Sequence, residues 1–445
     1  MTFVSTRDPR GRRYGLGEAL RLGPAPDGGL FVPERLEPLA DDVWRRLHDL
    51  SLPEIGDIVL TALLGDTVGE ADGAEIDRAT LRRLAAEALD FPIPLRRLGP
   101  RHGLLELFHG PTLAFKDVGA RFLARLLAAT RGGDEGIETD ATTVLVATSG
   151  DTGGAVAQAF FGVDGVEVVI LYPHGKVSPL QERQLATLGG NVRAFAVDGA
   201  FDDCQSLVRQ AFTDRELATR LGLTSANSIN VGRLLPQAIY YVHAAAQLTP
   251  GETPLFVVPS GNFGNLTAGL FARRLGLDAR FVAATNINDV VPEYLASGLY
   301  EPRPSVRTIS NAMDVGAPSN FERIRWLYDD DLDALRADVS GFRADDDQTR
   351  DTIAAVAAEH GEVLDPHTAV GWLALEDRFA REAPAEGTVG VVLATAHASK
   401  FGETVEPVLG RPIEIPRRLA RHLEKPLRSE RLDPSLDALR LALGA

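Results

Sequence analysis

TTVLVATSG (142–150) is followed almost at once by GAVAQAFFG (154–162), and this succession decides the fold class. The first segment is short, apolar and rich in β-branched residues, which is typical of a buried strand, and the second is predicted to be a helix. Similar apolar strands are predicted at VEVVILYP (166–173), VRAFAVDG (192–199), LFVVPSG (255–261), RFVAATN (280–286) and TVGVVLATA (388–396). Strands that alternate with helices predict parallel sheets covered by helices on both faces.

The segments between the strands have helical spacing. DVGARFLARLLAAT (117–130) places Val118, Phe122 and Leu126 on one apolar stripe. Further helices are predicted over 79–89, through Cys204 to Leu221, over 233–248 and over 265–276. The acidic stretch 328–347 is predicted to be a solvated helix and turn.

Two series of alternating elements, 117–225 and 230–400, indicate two α/β lobes with a cleft between them. We therefore predict an α/β protein with two parallel-sheet lobes and an N-terminal helical section. The N-terminal section is placed at 1–95, the smaller lobe at 117–225, and the larger lobe at 96–116 and 226–445.

Composition narrows the classes of partner and site. The net charge is −16, which argues against nucleic acid and against a polybasic membrane anchor. No stretch approaches about 18 uninterrupted apolar residues, and the N-terminus lacks the apolar segment of a secretory signal, so we expect a soluble cytoplasmic protein. Cys204 is the only cysteine and no histidines have the spacing of a metal motif, so neither a disulfide nor a metal site is expected.

PSGNFGN (259–265) lies between a predicted strand and a predicted helix. Gly261 and Gly264 let the backbone turn so that amide groups converge, and the helix adds its unpaired N–H groups and its positive end. Such a loop is an anion cradle, most naturally for a phosphate. A plain glycine-rich turn is the alternative, and the spacings of nucleotide P-loops and dinucleotide folds are absent.

Two further loops carry polar groups just ahead of helices. In TSGDTGG (148–154) these are Ser149, Asp151 and Thr152, although ordinary helix capping explains them equally well. In NSINVGRLLPQ (227–237) they are Asn227, Ser228, Asn230 and Arg233. The guanidinium could hold an anionic substrate group through two hydrogen bonds. A capped helix with a surface arginine is the alternative, but one cap does not require so many polar residues.

HGPTLAFKD (109–117) places Lys116 at the start of a predicted helix. The positive end of the helix and partial desolvation both lower the pKa of a lysine there, which makes the amine a better nucleophile for a Schiff base. A solvated lysine is the usual alternative, but Phe115 flanks this one and arginine dominates the basic residues. A reactive amine, a phosphate cradle and an anion-binding arginine are the parts needed to bind pyridoxal phosphate and an amino-acid substrate.

Longer segments resemble one enzyme family. Together with the loops above, they are ELFHGPTLAFKDVGARF (106–122), KVSPLQERQLATLGGNV (176–192), ATNINDVVPEYL (284–295) and NAMDVGAPSNFERI (311–324). Over residues 14–405 the chain resembles the threonine synthase family, which implies the tryptophan-synthase-β-like fold and pyridoxal 5′-phosphate as cofactor. The implied enzyme is a carbon–oxygen lyase that acts on phosphate. It converts O-phospho-L-homoserine and water to L-threonine and phosphate by β,γ-elimination and replacement through a cofactor aldimine. The long form of this family is often monomeric, so we expect a monomer.

The resemblance also implies roles for single residues, by motif position. Lys116 would bind the cofactor covalently, Asp151 would lie near its hydroxyl group, and Thr395 would hydrogen-bond its pyridine nitrogen. The cofactor phosphate would be held by Gly261, Asn262, Phe263, Gly264 and Asn265. The substrate phosphate would be held by Thr152, Ser228, Asn230 and Arg233.

Three other functions share parts of this pattern. A phospho-lyase acting on O-phosphohomoserine would release 2-oxobutyrate and ammonia, and it would share nearly every motif. An enzyme of the cysteine-synthase kind is disfavoured because its acetylserine substrate has no phosphate for Arg233 to bind. A non-catalytic protein that binds a phosphometabolite is disfavoured by the presence of Lys116.

Overall fold

The structure is a computed structural model that describes residues 2–69, 74–130, 142–148 and 150–444. The strands in these ranges are β1 (Phe3–Ser5), β2 (Phe31–Pro33), β3 (Leu95–Arg97), β4 (His102–Glu106), β5 (Thr142–Ala147), β6 (Val166–Pro173), β7 (Val192–Val197), β8 (Leu223–Thr224), β9 (Thr253–Pro259), β10 (Arg280–Thr285), β11 (Val339–Arg343), β12 (Thr388–Ala394) and β13 (Glu430–Leu432).

The α-helices of the same ranges are α1 (Leu16–Leu22), α2 (Asp41–Arg45), α3 (Leu52–Leu64), α4 (Arg78–Ala88), α5 (Lys116–Ala129), α6 (Asp151–Phe160), α7 (Pro179–Ala186), α8 (Phe201–Thr213), α9 (Arg215–Leu221), α10 (Val231–Leu234), α11 (Ala238–Ala246), α12 (Gly264–Arg274), α13 (Val290–Ser297), α14 (Phe321–Leu327), α15 (Leu332–Asp338), α16 (Asp346–His360), α17 (Pro366–Arg381), α18 (Gly402–Leu409), α19 (Arg417–Leu423) and α20 (Leu436–Leu443). Short 3-10 helices lie at Leu47–Asp49, Gly65–Thr67, Leu235–Gln237, Asn311–Met313 and Ala398–Phe401. No helix of the described residues is long and apolar enough to cross a membrane.

Two sheets organise the chain. The larger sheet has the order β11-β10-β9-β12-β4-β3 and is parallel except for β3, which runs antiparallel to β4. The smaller sheet has the order β13-β7-β6-β5-β8 and is parallel throughout. Central strands such as β12 are buried on both faces, which is why they are continuous apolar runs in the sequence. The prediction of two parallel-sheet lobes is confirmed.

The N-terminal section contains a two-stranded antiparallel sheet, β1 with β2, and helices α1 to α4. Helix α3 packs on α11, and α4 packs on α5, the helix that begins with Lys116. The apolar side of α4 that was read from the sequence is the buried side, formed by Leu81, Leu84, Ala85 and Ala88. The N-terminal section therefore packs against α5, the helix that begins with Lys116.

The C-terminal segment differs from its predicted assignment to the larger lobe. Strand β13 pairs with β7 and so belongs to the smaller sheet. It is only three residues long and buries one of them, Leu432, so the sequence carries no alternation that would reveal a strand. The other domain boundaries given above stay predictions.

Two predicted helices are interrupted. The helix expected over 233–248 is divided into α10, a 3-10 turn and α11, with Pro236 in the turn, because proline lacks the N–H group that a continuous helix requires. The long helix expected through Cys204 is divided into α8 and α9 at Asp214. The Asp214 carboxylate accepts a hydrogen bond from the Leu217 N–H at 3.2 Å and so caps α9.

The prediction for the acidic stretch 328–347 is correct for α15 but wrong for residues 339–343, which form β11. This strand lies at the edge of the larger sheet and, among the described residues, pairs only with β10. After the buried Val339, the half-buried Ser340 and Phe342 alternate with the exposed Gly341 and Arg343, as is usual for an edge strand with one solvated side. The exposed residues of β11 therefore gave this segment the sequence pattern of a solvated turn.

Candidate active site

The loops that follow four parallel strands carry the predicted cofactor-binding residues, as expected where ligands bind beyond the carboxyl ends of strands. Strand β4 leads to Lys116, β5 to Asp151, β9 to the loop 261–265, and β12 to Thr395. The lysine loop and the β12 loop are joined directly, because the Phe115 N–H donates to the Thr395 carbonyl oxygen at 2.9 Å. This hydrogen bond therefore holds the loop of Lys116 next to the loop of Thr395.

Asp117 fixes the loop that precedes the lysine. Its buried carboxylate accepts hydrogen bonds from the Thr112 N–H at 2.8 Å and from the Thr112 hydroxyl at 2.7 Å. Burial raises the pKa of Asp117 to about 6, although the bonds from Thr112 act in the opposite direction. The loop 109–117 is thus closed on itself, and Lys116 starts helix α5 in a defined position.

Lys116 is desolvated and lies near a carboxylate. Its side chain is 14% exposed, and its Nζ lies 4.0 Å from Asp151 Oδ2. Burial is the largest cause of a lowered pKa for Lys116; Asp151 acts against it, and Lys400 and Arg233 add to it. The lowered pKa agrees in direction with the prediction, and it favours the neutral amine that a nucleophile or base requires.

Asp151 is the first residue of α6, and its carboxylate bonds to other side chains instead of capping the helix. Its Oδ1 accepts hydrogen bonds from Lys400 Nζ at 2.7 Å and from Gln181 Nε2 at 3.0 Å. Burial alone would raise the pKa of Asp151, but the charges of Lys400 and Lys116 hold it below its usual value, so the group is ionised. Thr152 is half-buried beside it, and Ser149 lies outside the described residues.

The turn before α6 is shaped by Thr148, whose hydroxyl oxygen accepts from the N–H groups of Gly150 at 3.0 Å and Gly153 at 2.9 Å. Gly150 has φ 152°, in the region that favours glycine. Thr148 therefore caps helix α6 in the segment TSGDTGG. The Asp151 carboxylate is left to interact with Lys116 and Lys400.

Lys400 is the site residue that the sequence reasoning missed. It lies in the 3-10 helix Ala398–Phe401, its side chain is fully buried, and its Nζ also donates to the Thr112 carbonyl oxygen at 2.8 Å. A signal was present in the composition, since the chain has only four lysines: Lys116, Lys176, Lys400 and Lys425. Two of the four meet at Asp151.

The loop 261–265 leads into α12 and is tightly packed. A Cβ atom on Gly261 would lie 2.6 Å from the Ala312 carbonyl oxygen, so only glycine fits there. Phe263 adopts φ 61°, a left-handed conformation that costs about 1–3 kcal/mol for a residue of this kind and is typical of functional loops. Its ring is buried and contacts Phe321 edge-on.

Two asparagines connect this loop to its surroundings. Asn262 donates from Nδ2 to the Ser228 hydroxyl at 2.7 Å and accepts from the Ser319 N–H at 2.6 Å. Asn265 Oδ1 accepts from the hydroxyls of Tyr240 at 2.5 Å and Tyr241 at 2.7 Å, while its Nδ2 is buried without a partner among the described residues. A buried donor left unpaired beside a helix N-terminus fits a loop that holds a phosphate.

Arg233 is buried, so a surface position for this arginine is excluded. Its Nη1 donates to the Ala226 carbonyl oxygen at 2.6 Å, and within the described chain its Nε has no hydrogen-bond partner. Burial lowers the pKa of Arg233 to about 10, with Asp117 acting in the opposite direction. A buried guanidinium with an unused N–H suits an anionic group.

Asn230 is placed differently from its predicted contact with substrate. It is fully buried, and its Nδ2 donates to the carbonyl oxygens of Leu20 at 2.8 Å and Ser225 at 2.9 Å. Its Oδ1 accepts from the Gly232 N–H at 2.9 Å and caps α10. Both amide hydrogens are used by the backbone, so the geometry supports a scaffold role for Asn230.

A second residue that the sequence reasoning missed is Arg323, which is entirely buried. It donates from Nη2 to the Ile229 carbonyl oxygen at 2.7 Å and from Nε to the Phe31 carbonyl oxygen at 3.0 Å. It therefore ties the segment that carries Ser228 and Arg233 to the N-terminal section.

The histidines near the site bind neighbouring protein groups. His109 contacts Glu106 at 2.5 Å, and His367 contacts Asp365 at 2.7 Å while accepting from the Ala312 N–H at 3.1 Å. Among the described residues, no group of three or more His, Cys, Asp or Glu side chains is placed to hold a metal ion.

The fold and the site define a class of protein, that of the pyridoxal-phosphate-dependent enzymes. The family described as "Pyridoxal-phosphate dependent enzyme" matches residues 91–395, and the cradle, the unpaired donors and the desolvated Lys116 fit that cofactor. The families described as "Threonine synthase N terminus" and "Threonine synthase, C-terminal" match residues 2–85 and 368–442.

Comparison with single proteins narrows the class. The chain is 46% identical over 429 residues to the threonine synthase of Haemophilus influenzae, with 96% of each chain covered. Its structure is similar to that of threonine synthase from Escherichia coli, with a TM-score of 0.89, 42% identity, and coverage of 100% of this chain and 99% of that one. It is also similar to the pyridoxal-phosphate-bound threonine synthase of Brucella melitensis, with a TM-score of 0.90, 37% identity, and coverage of 100% and 98%. The chain belongs to the threonine synthase family of pyridoxal-phosphate-dependent lyases, and these matches support none of the alternative functions.

Proposed function

We propose that the substrate is O-phospho-L-homoserine, which is converted with water to L-threonine and phosphate. The observation that carries this proposal is the buried guanidinium of Arg233 with its unpaired Nε. The loop 261–265 supplies one anion site, suited to the cofactor phosphate, and the segment with Ser228 and Arg233 supplies a second, suited to the substrate phosphate. Asn262 joins the two through its bond to Ser228.

Each side chain has a proposed task. Pyridoxal phosphate, when bound, withdraws electrons from the substrate and makes its Cα and Cβ protons removable. Lys116 would hold the cofactor covalently, and its Nζ, which burial helps to keep neutral, would accept and return protons. Thr395 offers a hydroxyl to the pyridine nitrogen, and Thr152, beside Asp151, offers one to the substrate phosphate.

The test is product analysis with O-phospho-L-homoserine. Purified protein loaded with cofactor is incubated with this compound, and phosphate, threonine and 2-oxobutyrate are measured together. Equal amounts of phosphate and threonine are expected, with neither formed by Lys116→Ala. Lys176→Ala is the matched control, because Lys176 is exposed.

Two outcomes would contradict the proposal. Phosphate accompanied by 2-oxobutyrate would make the protein a phospho-lyase of the same class. Absence of phosphate release would remove the substrate assignment and the role given to Arg233.

We also propose that the protein is a monomer and is cytoplasmic. The long form of the family supports the first proposal, and the single cysteine supports a reducing compartment. Light scattering after size exclusion should give a mass near 47.8 kDa. Twice that mass would show a dimer, and fractionation of the source cells tests the location.

A further inference from the structure

Lys116 and Lys400 both lie close to one aspartate, Asp151. Lys400 follows β12 of the larger sheet, whereas Asp151 follows β5 of the smaller sheet. Lys400 Nζ is 2.7 Å from Asp151 Oδ1, and Lys116 Nζ is 4.0 Å from Asp151 Oδ2. The other two lysines of the chain, Lys176 and Lys425, are exposed.

The two lysines do not share the aspartate equally. Lys400 makes a charge-assisted hydrogen bond of ordinary length, and its ammonium is held a second time by the Thr112 carbonyl oxygen at 2.8 Å. Lys116 stands beyond hydrogen-bond distance of the same carboxylate. The negative charge of Asp151 is therefore largely neutralised by Lys400.

The charged groups that act most strongly on the Lys116 amine are two carboxylates, Asp151 and Asp365, and two cations, Lys400 and Arg233. Asp365 is itself bonded to His367 and Thr368. Asp151 is the carboxylate nearest to Lys116 that could pair with it directly, since the separation is only 4.0 Å. A free Asp151 would stabilise the ammonium form of Lys116.

We propose that Lys400 is a positioning residue that binds Asp151 and so prevents this carboxylate from pairing with Lys116. The Lys116 amine is thereby left free to lose its proton. The inference rests on the proposed role of Lys116 as the lysine that binds the cofactor. A pair that serves only to hold the two sheets together would affect stability but would leave the titration of Lys116 unchanged.

The experiment follows the ε-carbon signals of the lysines by NMR in the full chain, with ¹³C-labelled lysine and without cofactor. Four lysines give four signals, and Lys116→Arg identifies the one that matters. In Lys400→Gln, which keeps a hydrogen-bond donor but removes the charge, the pH midpoint of Lys116 should rise by about 1 to 3 units. Lys400→Arg should restore it, and Lys176→Gln should leave it in place.

The double variant Asp151→Asn with Lys400→Gln separates the proposal from a direct effect. It replaces a neutral ion pair by a neutral amide pair, which buried sites tolerate better than a single unpaired charge. If Lys400 acts by neutralising Asp151, the midpoint of Lys116 returns close to that of the unmodified protein. Even if Lys400→Gln alone does not fold, the double variant still tests the proposal. A pH midpoint of Lys116 well below that of the unmodified protein would contradict it.

A second readout uses the loaded protein. The absorbance of bound pyridoxal phosphate is titrated in the same variants, and its midpoint should shift in the same direction as the NMR midpoint. No shift in a folded Lys400→Gln protein, or a shift that persists when Asp151→Asn is added, would overturn the proposal. Neither readout requires turnover, so a failure of the proposed substrate would leave this test unaffected.

Discussion

Asn262 donates a hydrogen bond to the hydroxyl of Ser228 at 2.7 Å, although the two residues are 34 positions apart. The bond connects the loop proposed to hold the cofactor phosphate with the segment proposed to hold the substrate phosphate. Asn262 also accepts from the Ser319 N–H, so one side chain holds three segments in register. The two proposed anion sites are therefore joined by a direct hydrogen bond between their side chains.

Replacement of Asn262 should weaken both sites. Asn262→Ala removes two hydrogen bonds, and at about 1 kcal/mol each we expect a loss of about 10-fold or more in both cofactor affinity and kcat/KM. Titration with pyridoxal phosphate and steady-state kinetics measure the two quantities. A double-mutant cycle with Ser228→Ala should show coupling between the two residues, and strictly additive effects would contradict the link.

Arg233 should affect the substrate more than the cofactor. Arg233→Gln removes a charge-assisted contact, so kcat/KM should fall by about 10- to 100-fold while the absorbance of bound cofactor stays normal. Arg233→Lys should be intermediate because it keeps the charge but loses the planar donors. Inhibition by inorganic phosphate should weaken in parallel. Arg209→Gln, at an exposed position of α8, is the control, and unchanged phosphate inhibition in Arg233→Gln would contradict the assignment.

Gly261 should not tolerate even one methyl group. In Gly261→Ala the new Cβ would lie 2.6 Å from the Ala312 carbonyl oxygen, so the loop must move away from the turn 311–313. We expect cofactor affinity to fall by about 10-fold or more, because the cradle depends on converging N–H groups. Gly99→Ala, whose nearest neighbour would be a side-chain atom at 3.4 Å, should bind cofactor normally. Normal affinity in Gly261→Ala would show that the loop has more freedom than its packing indicates.

Asp117 should make the protein less stable as the pH rises from 4 to 7. Burial raises its pKa to about 6 in the folded chain from an ordinary value of 3.8, so the folded state binds the proton more tightly. The stabilisation by the bound proton is full below the unfolded pKa and is lost as the pH rises through the folded pKa, by about 2–3 kcal/mol in total.

The measurement compares urea unfolding of the unmodified chain and of Asp117→Asn at several pH values. Because asparagine does not titrate, the stability of the variant relative to the unmodified chain should increase between pH 4 and 7. A constant difference would show that Asp117 titrates normally in the folded protein.

The sequence predicted most of the fold because the buried parallel strands are continuous apolar runs. The segment 166–173 is β6 as expected, and 280–286 differs from β10 by one residue. The seven other strands of the described residues were missed, because each has five residues or fewer and shows no comparable apolar run: β1, β2, β3, β4, β8, β11 and β13. Pro236 was visible in the sequence, but the apolar pattern on either side of it favoured one helix.

The candidate site was predictable where a motif lies in one continuous segment. Lys116 and the loop 261–265 were singled out in this way, and their roles in binding the cofactor stay predictions. Lys400 and Arg323 were missed because their partners are far away in sequence: Lys400 bonds to Thr112, 288 positions away, and Arg323 bonds to Phe31, 292 positions away. Asn230 was assigned to a ligand because the sequence does not reveal that Leu20 uses its amide.

The pairing of β13 with β7 has a consequence for how the chain is made. Strands β5, β6 and β7 are translated before β9 to β12 of the larger sheet, whereas β13, which covers the outer edge of β7, is translated after them. Until residue 432 emerges, the nascent smaller sheet presents an unpaired edge, which is a site for mispairing with other chains. Completion of the smaller sheet therefore waits until all strands of the larger sheet have been translated.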